Sequence, residues 1–379
     1  MKPRLISLCT GYGGLEMGLR LAGIDFELAA VADPDPAAST VLAHHHPDVP
    51  NLGDITAVNW TTNGPVAAVD WSSLGPVDIL TAGYPCQPFS LAGHRKGTED
   101  DRHIWPAVAY AVRVLRPGLV LLENVPGHLS LGFGRVLADL AGLGYVGSWR
   151  CVRADDIGAA HRRNRIFIAA WPADTAGQGL ETWRQGRAGG GAASHADGAA
   201  FGAQPLSLTG SGGTAVAGDP GEGDGGLTLL PTPRASAREN RQTKRTPSQI
   251  AGEHGLSLAA EICSLLPSPR ATDGTHGGPN QRGSSGGLML PSAVQPWHFG
   301  KYQAATDRWA SVLGRPAPEP TEPNGADAVR LAAPFTEWLM GLPAGWVTDL
   351  VDRNDALRLL GNGVVPLQAA AAIRELVAA

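Results

Sequence analysis

One cysteine stands where its thiol could act as a nucleophile. Cys86 lies in the sequence GYPCQPFS, residues 83–90, directly after the largely apolar run 77–82 that predicts a buried strand. Prolines bracket the cysteine, so neither a helix nor a central strand can run through it. The thiol is therefore predicted on a stiff turn at the carboxyl end of a strand, where open α/β sheets bind ligands. Most free cysteines are buried structural residues, but this polar, proline-bounded setting favours a nucleophile.

A carboxylic acid and two arginines could complete such chemistry. Glu123 follows four apolar residues, and a carboxylate is costly to bury unless it is paired, so function is the better explanation for it. Arg163 and Arg165 alternate before a predicted strand and would point the same way on an extended backbone. They could flank one acidic site; a basic strand end on the surface is the alternative. Together these groups suit addition of a thiolate to an electron-poor ring that the acid protonates.

A glycine turn near the start of the chain indicates a site for a nucleotide-like ligand. Residues 4–8 predict a first strand, which leads into Gly11, Gly13 and Gly14 and then a helix to about residue 22. Glycine permits positive φ and lets the backbone approach a ligand closely. A tight strand-to-helix turn without a ligand is the alternative, because this is not the full GxGxxG pattern.

Acidic residues follow the glycine turn at informative distances. Asp33 ends a second predicted strand about 20 residues later, where it could accept hydrogen bonds from ribose hydroxyls. Asp35 is better suited to cap the next helix, with Pro36 at the first helical position. Asp54 lies in a further turn, where it could reach an adenine amino group or remain a solvated turn acid.

Composition sets limits on the class of protein. The chain has 379 residues and a formal net charge of −5. This charge does not indicate a nucleic-acid partner, although local basic patches can still bind phosphate. The 4 cysteines are scattered without a CxxC pair, so neither a metal site nor a disulfide framework is predicted. With no apolar run of about 18 residues and no charged-then-apolar leader, a reducing cytoplasm and no membrane span are expected.

The chain is predicted to have three parts. Residues 1–172 form the regular α/β domain, 173–330 form a variable region that begins with a Gly/Ala-rich linker, and 331–379 return to the first domain. In the variable region LLPTPRAS, residues 229–236, recurs as LLPSPRAT, residues 265–272. We expect paired loops that present arginines from a small, poorly packed domain. Its core would be anchored by aromatic residues: Trp297, Phe299, Tyr302 and Trp309.

Five motifs together resemble a known family. They are GxGG at 11–14, PCQ at 85–87, ENV at 123–125, RxR at 163–165 and GNGVV at 361–365. Their order and spacing are similar to those of the DNA (cytosine-5-)-methyltransferases, over roughly residues 4–172 and 330–379. The resemblance implies an α/β, Rossmann-like S-adenosylmethionine-dependent methyltransferase fold. Its mostly parallel, doubly wound sheet would be joined by a second, smaller, irregular target-recognition domain.

The same resemblance implies roles for individual residues. Cys86 would attack C6 of a flipped-out cytosine, Glu123 would hydrogen-bond N3 and the exocyclic amine, and Arg163 and Arg165 would hold the base and the catalytic groups. S-adenosyl-L-methionine would donate the methyl group, leaving S-adenosyl-L-homocysteine, with no metal involved. The residues expected to hold it are Cys9, Thr10, Gly11, Gly13, Gly14, Asp33, Asp54, Ile55, Asn362 and Val364. Those expected to contact DNA are Gln87, Ser90, Arg95, Lys96, Arg102, Arg234 and Arg270.

The chain departs from the family pattern in three places. Cys9 stands where an aromatic residue is usual, His161 replaces a common glutamine, and residues 334–343 lack the arginines of the penultimate motif. The leading hypothesis is a monomeric enzyme acting on double-stranded DNA, either paired with a cognate restriction endonuclease, solitary or phage-borne. A tRNA methyltransferase of the same fold and a non-catalytic DNA-binding relative are the alternatives.

Overall fold

The structure is a computed structural model that describes residues 2–60, 75–84, 104–175, 265–275, 280–283, 287–294, 300–324 and 329–378. Several residues singled out from the sequence lie outside the described ones. They are Cys86, Gln87, Ser90, Arg95, Lys96, Arg102, Arg234, Trp297 and Phe299, together with the first copy of the repeat.

A six-stranded sheet organises the described part of the chain. Its strands are β1 (Arg4–Leu8), β2 (Glu27–Ala32), β3 (Ile79–Ala82), β4 (Leu119–Asn124), β5 (Tyr145–Arg153) and β6 (Asn164–Pro172). Their spatial order is β2-β1-β3-β4-β6-β5. The pairings among β2, β1, β3 and β4 are parallel, whereas β6 is antiparallel to both β4 and β5. The mostly parallel α/β sheet expected from the sequence is therefore confirmed. The strand order changes direction at β1, because β2 lies on one side of β1 and β3 on the other.

Alternation along the strands gives the sheet two apolar faces. Ile6, Leu80 and Val120 belong to one buried cluster, and their neighbours Leu5 and Ile79 belong to another. Successive side chains of a strand point to opposite faces, so a strand covered on both sides reads as a continuous apolar run. This explains why the sequence predicts β1, β3 and β4 clearly.

Helices cover both faces of the sheet. They include α1 (Gly14–Leu21), α2 (Pro36–His45), α3 (Trp105–Leu115) and α4 (Phe133–Gly142). Asp35 caps α2 as predicted: its side chain accepts hydrogen bonds from the backbone N–H groups of Ala37 and Ala38, and Pro36 takes the first helical position. The cap satisfies N–H groups that have no partner within the helix.

The middle region packs against the sheet domain more closely than predicted. Its helices are α5 (Leu290–Ala293) and α6 (Gln303–Leu313), beside a hairpin of β7 (Thr321–Pro323) and β8 (Val329–Leu331). Helix α7 (Ala333–Leu339) follows at the start of the last segment. Leu265 and Leu266, from the second copy of the repeat, share a buried cluster with Trp309 and Trp338. Tyr302 and Trp309 are buried there, as expected of core anchors. The second copy is thus a docked segment, not a poorly packed loop.

After α7 the last segment returns to the sheet domain as two further helices, α8 (Arg353–Asn362) and α9 (Pro366–Ala378). Helix α9 lies so close to α1 that a Cβ added at Gly18 would come within 2.6 Å of the Ala369 Cβ. This confirms the predicted close packing of its alanine-rich face. By length and composition Arg353–Val377 could cross a membrane, but 72% of its most apolar window is buried inside the fold. Such burial is typical of core helices.

Candidate active site at the carboxyl edge of the sheet

A cavity of about 250 Å³ opens at the carboxyl ends of β1, β3 and β4. The link between α8 and α9 closes its opposite side. Sequence-predicted site residues that line it are Cys9, Thr10, Gly11, Gly14, Asp33, Glu123, Arg165, Asn362 and Val364. Residues from all four described motifs therefore reach the same space, at the sheet edge where ligands bind in open α/β folds.

The glycine turn shapes one wall of this cavity. Gly11 (φ 58°) and Gly13 (φ 85°) adopt left-handed conformations, and Gly13 precedes the first residue of α1. A Cβ at Gly11 would meet no atom within 4 Å, which leaves room for a ligand beside the backbone. A Cβ at Gly14 would instead lie 2.4 Å from the Val364 carbonyl oxygen. Glycine is thus required both for backbone conformation and for close approach of the C-terminal segment.

Asp33 ties the end of β2 to the glycine turn. Its Oδ2 accepts a hydrogen bond from Gly11 N (2.8 Å), and its Oδ1 accepts one from Asp35 N (3.0 Å). Burial raises the pKa of Asp33, and these hydrogen bonds oppose that rise. Each carboxylate oxygen has a second lone pair, so the carboxylate can still accept from a ligand hydroxyl.

Asp54 and Ile55 do not line the cavity. Asp54 is exposed, and its Oδ1 accepts hydrogen bonds from the Thr56 N–H (2.9 Å) and hydroxyl (2.8 Å). Ile55 is 3% exposed and belongs to the sheet core. The solvated turn acid considered from the sequence matches this geometry, and a cofactor role for either residue remains a prediction.

Glu123 and Arg165 form a buried ion pair at the cavity. Arg165 Nε lies 2.8 Å from Glu123 Oε1, and the glutamate side chain is 7% exposed. Burial raises the pKa of Glu123, whereas the charges of Arg165 and Arg163 lower it in part. The balance favours a carboxyl group that can hold a proton at higher pH than free glutamic acid does. Such a group can donate a hydrogen bond to a ring nitrogen.

Arg163 requires a correction, because its side chain does not flank this acid beside Arg165. Arg163 has φ 22°, and β6 begins only at Asn164, so strand alternation does not extend to it. Its guanidinium donates hydrogen bonds to the carbonyl oxygens of Pro269 (3.1 Å) and Gly361 (3.1 Å), and to that of Gly363. It still lies near enough for its charge to lower the pKa of Glu123. Its contacts are those of a residue that holds the C-terminal segment in place.

Glu16 is a cavity residue that sequence reasoning missed. It is 5% exposed, and its Oε1 accepts a hydrogen bond of 2.6 Å from the Thr81 hydroxyl of β3. Burial raises its pKa, which the hydroxyls of Thr81 and Ser7 partly oppose. Its position two residues after Gly14, on the inward face of α1, was the available signal.

Cys9 lines the cavity with a thiol of low reactivity. Burial and the charges of Asp33 and Asp54 raise the pKa of this thiol to about 12. Only the thiolate is nucleophilic, so Cys9 is unsuited to attack a substrate.

His161 and Arg270 belong to the contact between the sheet domain and the second copy of the repeat. His161 is fully buried, bridges to Leu266, and donates from Nε2 to the Leu339 carbonyl oxygen (2.9 Å). Burial lowers the pKa of His161 to about 3, so the ring is neutral. Arg270 is exposed, and its predicted DNA contact remains a prediction.

Proteins of similar sequence indicate the family of the chain. The family model described as C-5 cytosine-specific DNA methylase matches residues 3–186. Type II methyltransferase M.NgoMIV from Neisseria gonorrhoeae is 31% identical over 170 residues, covering 44% of this chain and 50% of that protein. M.NaeI from Lentzea aerocolonigenes is also 31% identical over 170 residues, covering 44% of this chain and 39% of the relative. The match thus spans half or less of these two relatives.

A third relative is matched over more of its length. M.AquIA from Picosynechococcus sp. is 34% identical over 184 residues, covering 44% of this chain and 71% of the relative. Among solved structures, Schizosaccharomyces pombe Dnmt2 methyltransferase has a TM-score of 0.55 at 15% identity, covering 100% of this chain and 99% of that chain. Entamoeba histolytica methyltransferase EhMeth has a TM-score of 0.53 at 14% identity, covering 99% and 98%. These likenesses show the fold, and the sequence matches show that the chain belongs to the C-5 cytosine-specific DNA methylase family.

Proposed function

We propose that this protein is a DNA (cytosine-5-)-methyltransferase that moves a methyl group from S-adenosyl-L-methionine to C5 of a cytosine in duplex DNA. The observation that carries the proposal is the buried Glu123–Arg165 pair, which shares its cavity with the glycine turn and with Tyr84. Cys86 follows Tyr84 by two residues in the chain. A proton donor and a ligand cavity thus lie beside Tyr84, which stands two positions before the thiol in the sequence.

The residues at the cavity fit an adenosyl cofactor. Gly11 leaves open space beside the backbone, and Asp33 presents a half-buried carboxylate that can accept hydrogen bonds from hydroxyls. Asn362 is exposed on the opposite side and offers an amide donor and acceptor. When bound, the cofactor would supply an electrophilic methyl group; the chain supplies the nucleophile and the proton donor.

Each catalytic group would have one task. The Cys86 thiolate adds to C6 of the cytosine while Glu123 donates a hydrogen bond to N3, so the electron pair released into the ring makes C5 nucleophilic. C5 then takes the methyl group. A base takes the C5 proton to solvent, and the electron pair left behind expels the cysteine sulfur as a thiolate and restores the aromatic ring. Arg165 orients Glu123 through the 2.8 Å contact between Nε and Oε1. The target base must leave the duplex stack for these groups to reach it.

Two features favour duplex DNA over tRNA as the substrate. Three of the sequence relatives are named Type II methyltransferases. A long variable region also separates the motifs, where a target-recognition domain would lie. The structural likeness to Dnmt2, at 15% identity, supports the fold and gives no information on the substrate. A non-catalytic relative would have no need of the buried acid or of its arginine. A bacterial cytoplasm, a monomeric state and functional pairing with a restriction endonuclease complete the proposal.

Methyl transfer and covalent trapping test the proposal together. The protein would be incubated with labelled S-adenosylmethionine and with either duplex DNA or tRNA. We expect label in DNA alone, and loss of that label in Cys86→Ser. Duplex DNA containing 5-fluorocytosine should form a covalent complex, because fluorine at C5 cannot leave as a proton does. Cys151→Ser is the matched control, since Cys151 is an exposed residue of β5. Normal methyl transfer by Cys86→Ser would overturn the mechanism.

A further inference from the structure

Two buried side chains connect the end of β3 with the loop that follows β4. The Tyr84 hydroxyl lies 2.9 Å from Nε2 of His128. Tyr84 is 3% exposed and His128 is fully buried, so neither group can exchange this partner for bulk water. The bond joins positions 44 residues apart in the chain.

The second nitrogen of His128 fixes the direction of the bond. Nδ1 lies 3.1 Å from the Leu131 carbonyl oxygen, which can only accept. Nδ1 therefore carries the proton, and in the neutral ring Nε2 accepts from the Tyr84 hydroxyl. A carbonyl oxygen of the same loop thus orients the imidazole, which in turn orients the phenol.

Neighbouring contacts make this connection rigid. The Asn124 side-chain amide donates to the Tyr84 carbonyl oxygen (3.3 Å), while its oxygen accepts from Val125 N (2.8 Å). The Tyr84 ring packs against Trp105, and His128 packs edge-on against Phe133. The backbone of Tyr84 is therefore tied to Asn124, which directly follows Glu123, and its side chain to His128, five residues after Glu123.

We propose that Tyr84 and His128 are positioning residues that fix the chain just past β3, two residues before Cys86, relative to Glu123. The proposal rests on the proposed function, because it assigns Cys86 as the nucleophile. In the sequence only Pro85 separates Tyr84 from Cys86, and the proline ring fixes its own φ, so we expect a shift of Tyr84 to displace the thiol. Small misplacements of a reacting group slow a reaction strongly, by up to about 100-fold for about 1 Å.

Tyr84→Phe removes only the hydroxyl and so tests the proposal. The probe would be duplex DNA made with 5-fluorocytosine in place of cytosine, and the readout would be the rate of covalent complex formation at saturating cofactor. We expect this rate to fall about tenfold or more, while the Kd for S-adenosylhomocysteine stays within about twofold. His128→Phe removes the acceptor instead and should slow trapping to a similar extent.

Tyr145→Phe is the matched control. Tyr145 is also 3% exposed, and its hydroxyl donates to the Pro117 carbonyl oxygen (2.7 Å). We expect this variant to lower Tm about as much as Tyr84→Phe does and to leave the trapping rate unchanged. Equal trapping rates in Tyr84→Phe and wild type would overturn the positioning role, as would equal losses of rate in both variants. If wild-type protein forms no covalent complex, the proposed function itself fails.

Discussion

The two sides of the cavity are built by different means. On the strand-end side, buried side chains with shifted pKa values face the space, as in the Glu123–Arg165 pair and in Glu16. On the C-terminal side, backbone atoms make the contacts: the carbonyl oxygens of Gly361 and Gly363 receive Arg163, and that of Val364 receives the Tyr12 hydroxyl (2.8 Å). Substitutions on the first side should change chemistry, and those on the second side should change stability.

The largest effect is expected for Glu123→Gln. The amide keeps the size of the side chain but cannot transfer a proton, so kcat should fall about 1000-fold, within the range typical of a lost general acid. Initial rates of methyl transfer into DNA would measure it. S-adenosylhomocysteine binding by calorimetry would serve as the control and should change little. A loss of less than about tenfold would show that the buried acid is not central to the chemistry.

The next effect concerns the close backbone approach on the C-terminal side. A Cβ at Gly361 would lie 2.1 Å from Ala271 N and 2.1 Å from the Arg270 carbonyl carbon, both of them backbone atoms. We expect Gly361→Ala to destabilise the protein by about 3 kcal/mol, at the upper end for overpacking. Urea unfolding would measure it.

Gly134 of α4 provides the matched control for that substitution. It is exposed, and a Cβ there would meet no atom within 4 Å. Gly134→Ala should stabilise the helix by about 0.5–1 kcal/mol, because alanine has less backbone freedom to lose. Similar destabilisation by both variants would contradict the idea that backbone contact makes this side sensitive.

The two arginines sharpen the comparison further. Arg163→Lys keeps the charge but loses the guanidinium N–H groups that donate to three carbonyl oxygens. We therefore expect a loss of about 2 kcal/mol in the free energy of unfolding. Arg165→Lys keeps a positive charge beside buried Glu123 but loses the planar guanidinium, so methyl transfer should slow more than stability falls. Denaturation and initial rates on both variants would check this. The opposite assignment, with Arg163→Lys slowing the reaction at unchanged stability, would restore the arrangement expected from the sequence.

Local pattern was enough to predict part of the strand-end side. The strand before Glu123 reads as a buried apolar run, and Asp35 precedes a proline at a helix start, so neighbouring residues alone determine both. The predicted direction of the Arg163 side chain was wrong because its backbone conformation departs from strand geometry. Its partners also lie about 100 and 200 residues along the chain. Glu16 was missed for a related reason. Its position two residues after Gly14 indicates only that it lies near the glycine turn, because its hydrogen bond is to Thr81, 65 residues away.

The smallest expected effect tests whether side-chain charge matters where the two sides meet. Arg358 of α8 pairs with Asp35, the cap of α2, and with Asp355 (2.6 Å). The Arg358 side chain is 36% exposed, so solvent screens both pairs. We expect Arg358→Gln to cost less than about 1 kcal/mol, and less still at high salt. Arg135→Gln, which breaks an exposed pair with Asp139 within α4, is the matched control.

The pH dependence of the Arg358 variant follows from Asp35. Burial raises the pKa of Asp35, but hydrogen bonds from Arg358 and from the start of α2 outweigh it and hold the pKa below its usual value. The stabilisation is therefore present above the unfolded pKa of about 3.9 and is lost as pH falls through the lower folded pKa. Because Arg358→Gln removes one of these hydrogen bonds, its unfolding free energy should fall less on acidification than that of the wild type. An equal fall in both proteins would mean that the helix cap alone sets the pKa of Asp35, and that α8 is held to α2 by packing.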